Sequence, residues 1–243
     1  MKTVLITTAD DPLNIFFWKS FLEYKEKSIS KIIILPSRDE IDFPFLMKPF
    51  IALRMLGVLG ILKFVHTKIF LRKIKFNMVS EECVFLNSLD LEVLYREVSQ
   101  SKVDVLISVG APVVFNEDLL SLSSTCALNI HNGDIKRYRG HFSSFWEIMN
   151  KEKKSAVTLH EMKRKVDSGA IYDQSFINRL TVSSFWDLMV WKKTKGGEML
   201  AKNLHILEEK KILDEFEVEG RERSESVYYG FPRVADVLRF RFN

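Results

Sequence analysis

Short apolar runs rich in β-branched residues alternate with helix-like segments along the first half of this chain. The runs are TVLITT, KIIILP, ECVFLN, VDVLISVG and CALNIHN, which begin at residues 3, 31, 82, 103 and 126. Continuous runs of this kind are typical of strands that are buried on both faces of a sheet. The segments between them, such as NSLDLEVLYREVSQ, have the apolar spacing of amphipathic helices. This alternation predicts βαβ units and an α/β fold with a doubly wound, mostly parallel sheet.

The pattern changes in the second half of the chain. Residues 155–162 and 170–177 alternate apolar and polar side chains, which predicts two half-exposed strands. A long helix is predicted at 183–211, with a disturbance at its adjacent glycines, and the remaining tail reads as irregular or short-stranded. We therefore expect a catalytic core at 1–180 and a small C-terminal extension of helix and strand at 181–243, which makes a dimer contact or a substrate contact.

Composition excludes several classes of protein. The 243 residues, 47% of them hydrophobic and 28% charged, suit one sizeable globular core. A net charge of +4 suits an anionic small molecule and is too small to predict nucleic-acid binding. Cys83 and Cys126 form no CxxC or Cys/His cluster, which favours thiols in a reducing compartment. The N-terminus lacks a signal-peptide pattern, so we expect a cytoplasmic location.

One segment, residues 43–76, is both apolar and basic. Its longest uncharged run is MLGVLGIL, which is bounded by Arg54 and Lys63 and is far shorter than the ~20 residues that a membrane-spanning helix needs. We expect the segment to form a helix that packs against the core rather than one that contacts a membrane. A helix lying on a membrane surface is one alternative, and a substrate-side lid or a dimer contact is another.

Several common catalytic motifs are absent from the sequence. The five histidines are not spaced as zinc ligands, so we expect no metal. No glycine-rich phosphate loop follows the first strand, where the sequence is TTADDPLN, and no GxSxG motif occurs. These absences argue against most dehydrogenases, NTPases and α/β hydrolases.

Polar residues instead mark the end of the fifth predicted strand. Asn129 and His131 are separated by two positions, so in a strand both point to the same face. In a parallel α/β sheet, ligands bind beyond the carboxyl ends of the strands. Further along the chain, Asp167 begins an Asp-Ser-Gly turn in which Gly169 supplies conformational freedom. Taken singly, each of these residues also suits a satisfied structural role.

Five sequence elements occur in a characteristic order. They are Asn-x-His at 129–131, Tyr-Arg-Gly at 138–140, a Trp-containing helix, Val-Thr-x-His at 157–160 and Asp-x-Gly at 167–169. This combination resembles the folate-dependent formyltransferases, a family whose members act on methionyl-tRNA, glycinamide ribonucleotide or amino sugars. The resemblance implies a formyltransferase-type Rossmann-like core and 10-formyltetrahydrofolate as the formyl donor. It also implies a catalytic trio of Asn129, His131 and Asp167.

The chemistry of this trio suits formyl transfer to an amine. The reaction passes through a tetrahedral intermediate with an oxyanion and a positively charged nitrogen. The amide of Asn129 and the imidazole of His131 can donate hydrogen bonds to that oxyanion. Asp167 can orient the imidazole, raise its pKa and help to carry the proton of the amine away. The chemistry needs no covalent enzyme intermediate.

The resemblance also points to binding residues. It places the folate beside the loop SVGAPVVF, whose backbone groups at Val109, Ala111 and Val113 would hydrogen-bond the pterin. Substrate contacts are predicted at Arg137, Tyr138 and Arg139, for which a solvated basic loop is an equal alternative. Two departures from the family pattern affect this region: Lys136 replaces a common proline, and HFSSFW lacks the more common proline.

Among the members of the family, the sugar N-formyltransferases are most similar to this chain. Too few residues follow the core for a tRNA-binding barrel, and the C-terminal VYYGFPRVADVLRF is like the short segment that ends many of the sugar enzymes. The expected acceptor is an amino sugar on a nucleotide, for lipopolysaccharide or glycan synthesis. The alternatives are another small amine, such as a free amino sugar or glycinamide ribonucleotide, and a non-catalytic binding protein. We expect small-molecule partners and no nucleic acid, with a homodimer left open.

Overall fold

Nine strands and seven α-helices occur in the computed structural model, which describes residues 1–8, 12–24, 29–37, 48–71, 80–214 and 226–242. The strands are β1 (Thr3–Thr8), β2 (Ile29–Leu35), β3 (Ser80–Phe85), β4 (Val103–Val109), β5 (Ser123–His131), β6 (Tyr138–Gly140), β7 (Lys154–Glu161), β8 (Ile171–Asn178) and β9 (Val227–Tyr229). The helices are α1 (Asn14–Tyr24), α2 (Lys48–Leu71), α3 (Leu91–Ser99), α4 (Glu117–Leu120), α5 (Ser143–Met149), α6 (Phe185–Lys210) and α7 (Val234–Arg239).

Seven strands form one sheet in the order β3-β2-β1-β4-β5-β7-β8. The first five of these strands are parallel, β7 pairs antiparallel with β5, and β8 pairs antiparallel with β7. The strand order reverses between β1 and β4, which is the position where open α/β sheets have their binding crevice. The predicted doubly wound, mostly parallel sheet is confirmed.

Alternate residues of the parallel strands bury into two separate cores. Leu5, Ile34 and Ile107 pack on one side of the sheet in a cluster that includes residues of α1 and α6. Ile6 and Ile33 pack on the other side with residues of α3 and α4. Because successive side chains of a strand point to opposite faces, each apolar run serves both cores.

The long helix α6 packs closely against α1. A Cβ atom added at Gly197 would lie well inside contact distance of the carbonyl oxygen of Phe17 on α1. The disturbance predicted at Gly196 and Gly197 does not occur, because here the glycines allow two helices to approach each other within a continuous helix. Leu200 and Leu204 of α6 belong to the main core, so the predicted division at residue 180 cuts through that core.

The prediction of a half-exposed strand at 155–162 is wrong, since β7 is buried on both faces between β5 and β8. Its polar side chains are satisfied inside the protein. The Ser155 hydroxyl donates to Glu147, and the Thr158 hydroxyl donates to the carbonyl of Gly133 at 2.6 Å. Alternation in the sequence predicted the strand correctly, but not that hydrogen bonds would replace solvent for these side chains.

The C-terminal extension of strand and helix is confirmed. Strand β9 pairs in parallel with β6 in a two-stranded sheet, and the indole N–H of Trp146 donates to the carbonyl of Gly230 at 3.0 Å. Helix α7 follows, and Phe240 stacks on Phe145 with ring centroids 4.9 Å apart. These contacts fasten the end of the chain onto the segment that follows β5.

Helix α2 contains a kink and has two unlike sides. Gly57, at φ +67°, interrupts its helical geometry. Ile51, Gly60 and Thr67 are buried, whereas several large apolar side chains face outward. The expected packing against the core therefore holds for one side only. By length and composition, Lys48–Ile69 is the one described helix that could cross a membrane, and only 17% of its most apolar stretch is buried inside the protein.

We expect Gly197→Ala to destabilise the protein although alanine is the better helix former. The helix-propensity gain is about 1 kcal/mol, but the added methyl must displace the backbone of α1, and overpacking of this kind costs about 1–3 kcal/mol or more. Urea unfolding followed by circular dichroism should therefore show a net loss of stability. Gly230→Ala is the matched control, because a Cβ there has no neighbour within 4 Å. Equal stabilities of the two variants would contradict the close helix contact.

Candidate active site

Two polar side chains lie on one face at the carboxyl end of β5. Asn129 and His131 both line a cavity of about 550 Å³, which is within the usual range for small-molecule sites. Asp167, from the turn between β7 and β8, lines the same cavity. The structure thus brings together the three residues that the sequence singled out.

Asp167 has contacts on both of its carboxylate oxygens. Oδ2 lies 3.4 Å from Nδ1 of His131 and accepts a hydrogen bond from the backbone N–H of Gly140 at 2.7 Å. Oδ1 lies 3.4 Å from Nε2 of His160. The carboxylate therefore joins two histidines and the end of β6, although it is only 9% exposed.

The protonation of this pair follows from burial and charge. Burial alone would raise the pKa of Asp167, but the neighbouring His131, His160 and the N–H of Gly140 outweigh it and hold the pKa well below its usual range. Burial lowers the pKa of His131, and the charge of Asp167 offsets only part of that effect. At neutral pH the site therefore holds a carboxylate beside a largely neutral imidazole.

Both ring nitrogens of His131 face hydrogen-bond acceptors. Nε2 lies 2.8 Å from the carbonyl oxygen of Tyr138, and Nδ1 faces Asp167. A neutral ring has one N–H, which the shorter contact assigns to Nε2. Nδ1 is then the nitrogen that can take up a proton, since the resulting cation would satisfy both acceptors. To donate to an oxyanion, the ring would have to give up its hydrogen bond to Tyr138.

His160 is a member of this cluster to which the sequence assigned no role. Its Nδ1–H donates to the carbonyl of Glu161 at 2.7 Å, which leaves Nε2 to accept from the amide of Asn129 at 3.1 Å. That contact fixes the orientation of the Asn129 amide and occupies one of the two N–H groups of the amide. The Val-Thr-x-His element contained this residue, but only the pairing of Asn129 with His160 across β5 and β7 reveals the contact.

The turn that follows His131 is held by an unusual set of donors. The carbonyl oxygen of Asn132 accepts from the hydroxyls of Ser143 and Ser144 at 2.7 and 2.9 Å and from Nζ of Lys192 at 2.8 Å. Both serines belong to HFSSFW, where the sequence departs from the family pattern. The serines at this departure thus donate hydrogen bonds to the backbone immediately after His131.

Lys192 is completely buried and pairs with a buried carboxylate. Its Nζ lies 2.8 Å from Oε2 of Glu147, and the two side chains are 0% and 2% exposed. The other oxygen of Glu147 accepts from the backbone N–H groups of Asp134 and Ala156 at 3.2 and 3.3 Å. A buried pair is stable only when its remaining hydrogen-bonding capacity is used in this way.

Several solved structures with a similar architecture are formyltransferases. A sugar N-formyltransferase from a Shewanella species matches with a TM-score of 0.59 at 18% identity, over 97% of this chain and 78% of that one. The N-formyltransferase from Helicobacter canadensis, solved with folinic acid and dTDP-3-aminofucose, gives 0.53 at 17% identity, over 94% and 71%. Glycinamide ribonucleotide transformylase 1 from Symbiobacterium toebii gives 0.59 at 12% identity, over 88% and 91%.

The chain has the formyltransferase fold. At these identities the likeness concerns the fold alone. In sequence, the bifunctional polymyxin resistance protein ArnA of Wigglesworthia glossinidia brevipalpis is 34% identical over 76 residues, which are 31% of this chain and 12% of that protein. The match therefore spans a small part of that relative. No protein-family model matches the chain.

The loop that follows β4 forms one wall of the cavity in this formyltransferase fold. Of the residues predicted to contact a pterin, Ala111 and Val113 line the cavity. Val109 does not, because its side chain is in the main core and its carbonyl accepts from the Thr7 hydroxyl at 2.9 Å. Gly110 and Pro112 are on the wall in its place.

The basic loop at 137–139 lies away from the cavity wall. Arg137 donates to Oε2 of Glu152 at 2.7 Å, and the Tyr138 hydroxyl donates to Oε1 of the same carboxylate at 2.6 Å. Arg139 donates to the carbonyl of Ser226 at 3.2 Å. These contacts occupy Arg137 and Tyr138, whereas Nε of Arg139 is buried without a hydrogen-bond partner among the described residues. None of the three lines the cavity, so their predicted contact with the acceptor finds no support in the geometry.

The turn that carries Asp167 differs from its prediction in one respect. Asp167 itself has the left-handed conformation, at φ +49°, which aspartate tolerates better than most residues. Gly169 is required for a different reason, since a Cβ there would meet the backbone carbonyl of Glu161. The glycine thus lets the turn lie against β7.

Among the residues that the structure describes, no group of three His, Cys, Asp or Glu could hold a metal ion.

We expect Lys192→Met to lower the free energy of unfolding by about 3–5 kcal/mol, because Glu147 would remain as a buried unpaired charge. Combining it with Glu147→Leu should restore much of that loss, since both charges are then removed. Denaturant unfolding measures both values. The control is Lys195→Met, which breaks a partly exposed pair with Glu198 and should cost less than about 1 kcal/mol. If Lys192→Met were no less stable than Lys195→Met, that result would argue against a buried ion pair.

Proposed function

We propose that this protein is an N-formyltransferase that transfers a formyl group from 10-formyltetrahydrofolate to the amine of a nucleotide-linked amino sugar. The observation that carries the proposal is the meeting of Asn129, His131 and Asp167 at one cavity in a formyltransferase fold. An amide donor can stabilise the oxyanion of acyl transfer to an amine, and a neutral imidazole beside an ionised carboxylate can take up the proton of the amine.

In the proposed reaction, the amine nitrogen attacks the formyl carbon and the carbonyl oxygen becomes an oxyanion. The second N–H of the Asn129 amide donates to that oxyanion, while the first stays on His160. His131 takes the proton that the amine loses, and Asp167 stabilises the imidazolium. The bond from the formyl carbon to the folate nitrogen then breaks, and that nitrogen receives a proton.

His131 can also donate to the oxyanion once protonated, if it releases the carbonyl of Tyr138. Either way, the proton remains between groups that are nearly closed to solvent, since His131 and Asp167 are 7% and 9% exposed. The low exposure strengthens each electrostatic contact relative to the same contact in water.

The donor side of the proposal rests on the cavity wall beside β4. Its loop presents backbone groups at Gly110 and Ala111 together with apolar side chains of Val113 and Phe115. A flat ring with several polar edges fits such a wall, because apolar side chains cover its faces and backbone groups fix its orientation. Folinic acid in the Helicobacter canadensis protein is the parallel for this choice of donor.

The acceptor is proposed by analogy with the same relatives. The Helicobacter protein was solved with dTDP-3-aminofucose, and a 4-N formyltransferase from Francisella tularensis also matches, with a TM-score of 0.58. A role in lipopolysaccharide or glycan synthesis and a cytoplasmic location are part of this proposal. Glycinamide ribonucleotide is the second candidate, because the Symbiobacterium transformylase is matched over 91% of its own length.

The test is an incubation with 10-formyltetrahydrofolate and a panel of nucleotide amino sugars, free amino sugars and glycinamide ribonucleotide. Mass spectrometry should show one formyl group replacing one hydrogen on a nucleotide amino sugar. A product from glycinamide ribonucleotide or from a free amino sugar alone would replace the proposed acceptor. Binding of folinic acid without any product would favour the non-catalytic alternative.

Variants of the trio test the proposed roles. Asn129→Ala should lower kcat by about 10²–10³, the usual cost of one oxyanion donor. His131→Ala and Asp167→Ala should each lower it by about 10²–10⁴, because the proton acceptor or its partner is lost. His205→Ala is the control, since that histidine is 64% exposed and pairs with Glu209 on the surface. Near-normal turnover by a folded His131→Ala or Asp167→Ala would overturn the role assignment.

A further inference from the structure

The outward side of α2 is an apolar surface. Val58, Leu62, Val65 and Ile69 follow at spacings of four, three and four residues, which places them on one helical face, and Leu59 lies beside them. Four of these five side chains are 60–67% exposed and Val65 is 48% exposed. We refer to the five as the apolar face of α2. A contiguous exposed group of this kind on a protein surface usually marks a binding site.

The charged side chains of this segment have one sign, and one of them, Lys63, is paired with Asp187 of α6. Residues 43–80 contain seven Lys or Arg and no Asp or Glu, although the whole chain has 36 basic and 32 acidic residues. At 100° per residue, Lys63 and Lys68 lie on opposite flanks of the apolar face. Arg54 and Lys48 are exposed nearer the start of the helix. The partner that complements such a surface is apolar at its centre and negatively charged around it.

We propose that α2 docks this protein on an anionic lipid surface, with the apolar face at the level of the acyl chains and exposed basic side chains such as Lys68 among the headgroups. Interfacial helices bind in this way, by apolar burial together with attraction to anionic lipids. The docking goes beyond the proposed enzymatic function and does not depend on it.

Several contacts favour a helix lying on the bilayer over one that crosses it. Lys63 pairs with Asp187 at 2.7 Å, and Arg54 donates to the carbonyl of Leu238 at 3.1 Å. These bonds hold the helix along the body of the protein. Gly57 also interrupts its hydrogen-bond ladder, and a spanning helix must satisfy every backbone group internally.

The same charges disfavour a second copy of this chain as the partner. A two-fold symmetric contact through α2 would bring one basic surface against an identical one. Like charges held together at an interface are repulsive. An anionic bilayer has the opposite sign and also accepts the apolar side chains.

The inner side of α2 belongs to the cavity described above. Leu56 and Phe64 line that cavity, while the apolar face points away from the protein. Docking would therefore place one wall of the cavity directly on the lipid surface.

The experiment is flotation of the 243-residue protein with vesicles of phosphatidylcholine alone or mixed with phosphatidylglycerol. We expect binding to the mixed vesicles, weaker binding at high salt and little binding to the neutral ones. The double variant Leu62→Ser and Ile69→Ser should lower the partition coefficient by about tenfold or more. Lys68→Glu should lower it by about fivefold or more.

The matched control is Leu180→Ser with Ile212→Ser, two side chains that are 78% and 64% exposed elsewhere on the surface. It should float like the unaltered protein, and thermal melting should show that all variants are folded. No binding to anionic vesicles, or an equal loss in the control, would overturn the proposal. A concentration-dependent dimer that only the α2 variants abolish, together with no vesicle binding, would show that the partner is a second copy of the chain. Resistance to alkaline extraction from vesicles would indicate a spanning helix, and either result would overturn the proposal.

Discussion

A carboxylate that is nearly closed to solvent must be balanced by its neighbours, and around Asp167 this requirement determines where several parts of the protein lie. The carboxylate accepts a hydrogen bond from the N–H of Gly140 and lies 3.4 Å from one ring nitrogen each of His131 and His160. These groups come from β5, from β7 and from the end of β6. The strands must therefore meet at the turn that carries Asp167, and that turn lies close because Gly169 allows it to contact β7.

A buried ion pair lies next to the Asp167 cluster. Lys192 and Glu147 connect α6 to α5, and Lys192 also reaches the carbonyl of Asn132, immediately after His131. The geometry of His131 thus depends on the carboxylate in front of it and on an ammonium group behind it. A buried pair is costly to desolvate and is often not stabilising in itself. Its clear effect here is to hold one backbone carbonyl in place.

The sequence predicted the sheet and the position of Asn129 and His131, because strand periodicity and the rule for carboxyl ends are local properties. The family motif added Asp167, which lies 36 positions from His131. His160 could not be assigned a contact, since its pairing with Asn129 exists only in the folded sheet. In the sequence, Lys192 cannot be distinguished from a surface lysine of a helix, because only the folded structure brings α5 against it. For α2, composition left core packing, membrane contact and a lid or dimer contact as alternatives, and which side of the helix is exposed could be seen only in the folded chain.

The central claim is that Asp167 and His131 form one coupled unit, and the pKa of the His131 ring tests it most directly. Nitrogen-15 NMR of histidine-labelled protein can measure that pKa in the unaltered chain and in Asp167→Asn. Burial should place it below the ordinary value of 6.5, and removing the carboxylate should lower it further, because the charge that stabilises the imidazolium is lost. An unchanged or higher pKa in Asp167→Asn would contradict the coupling.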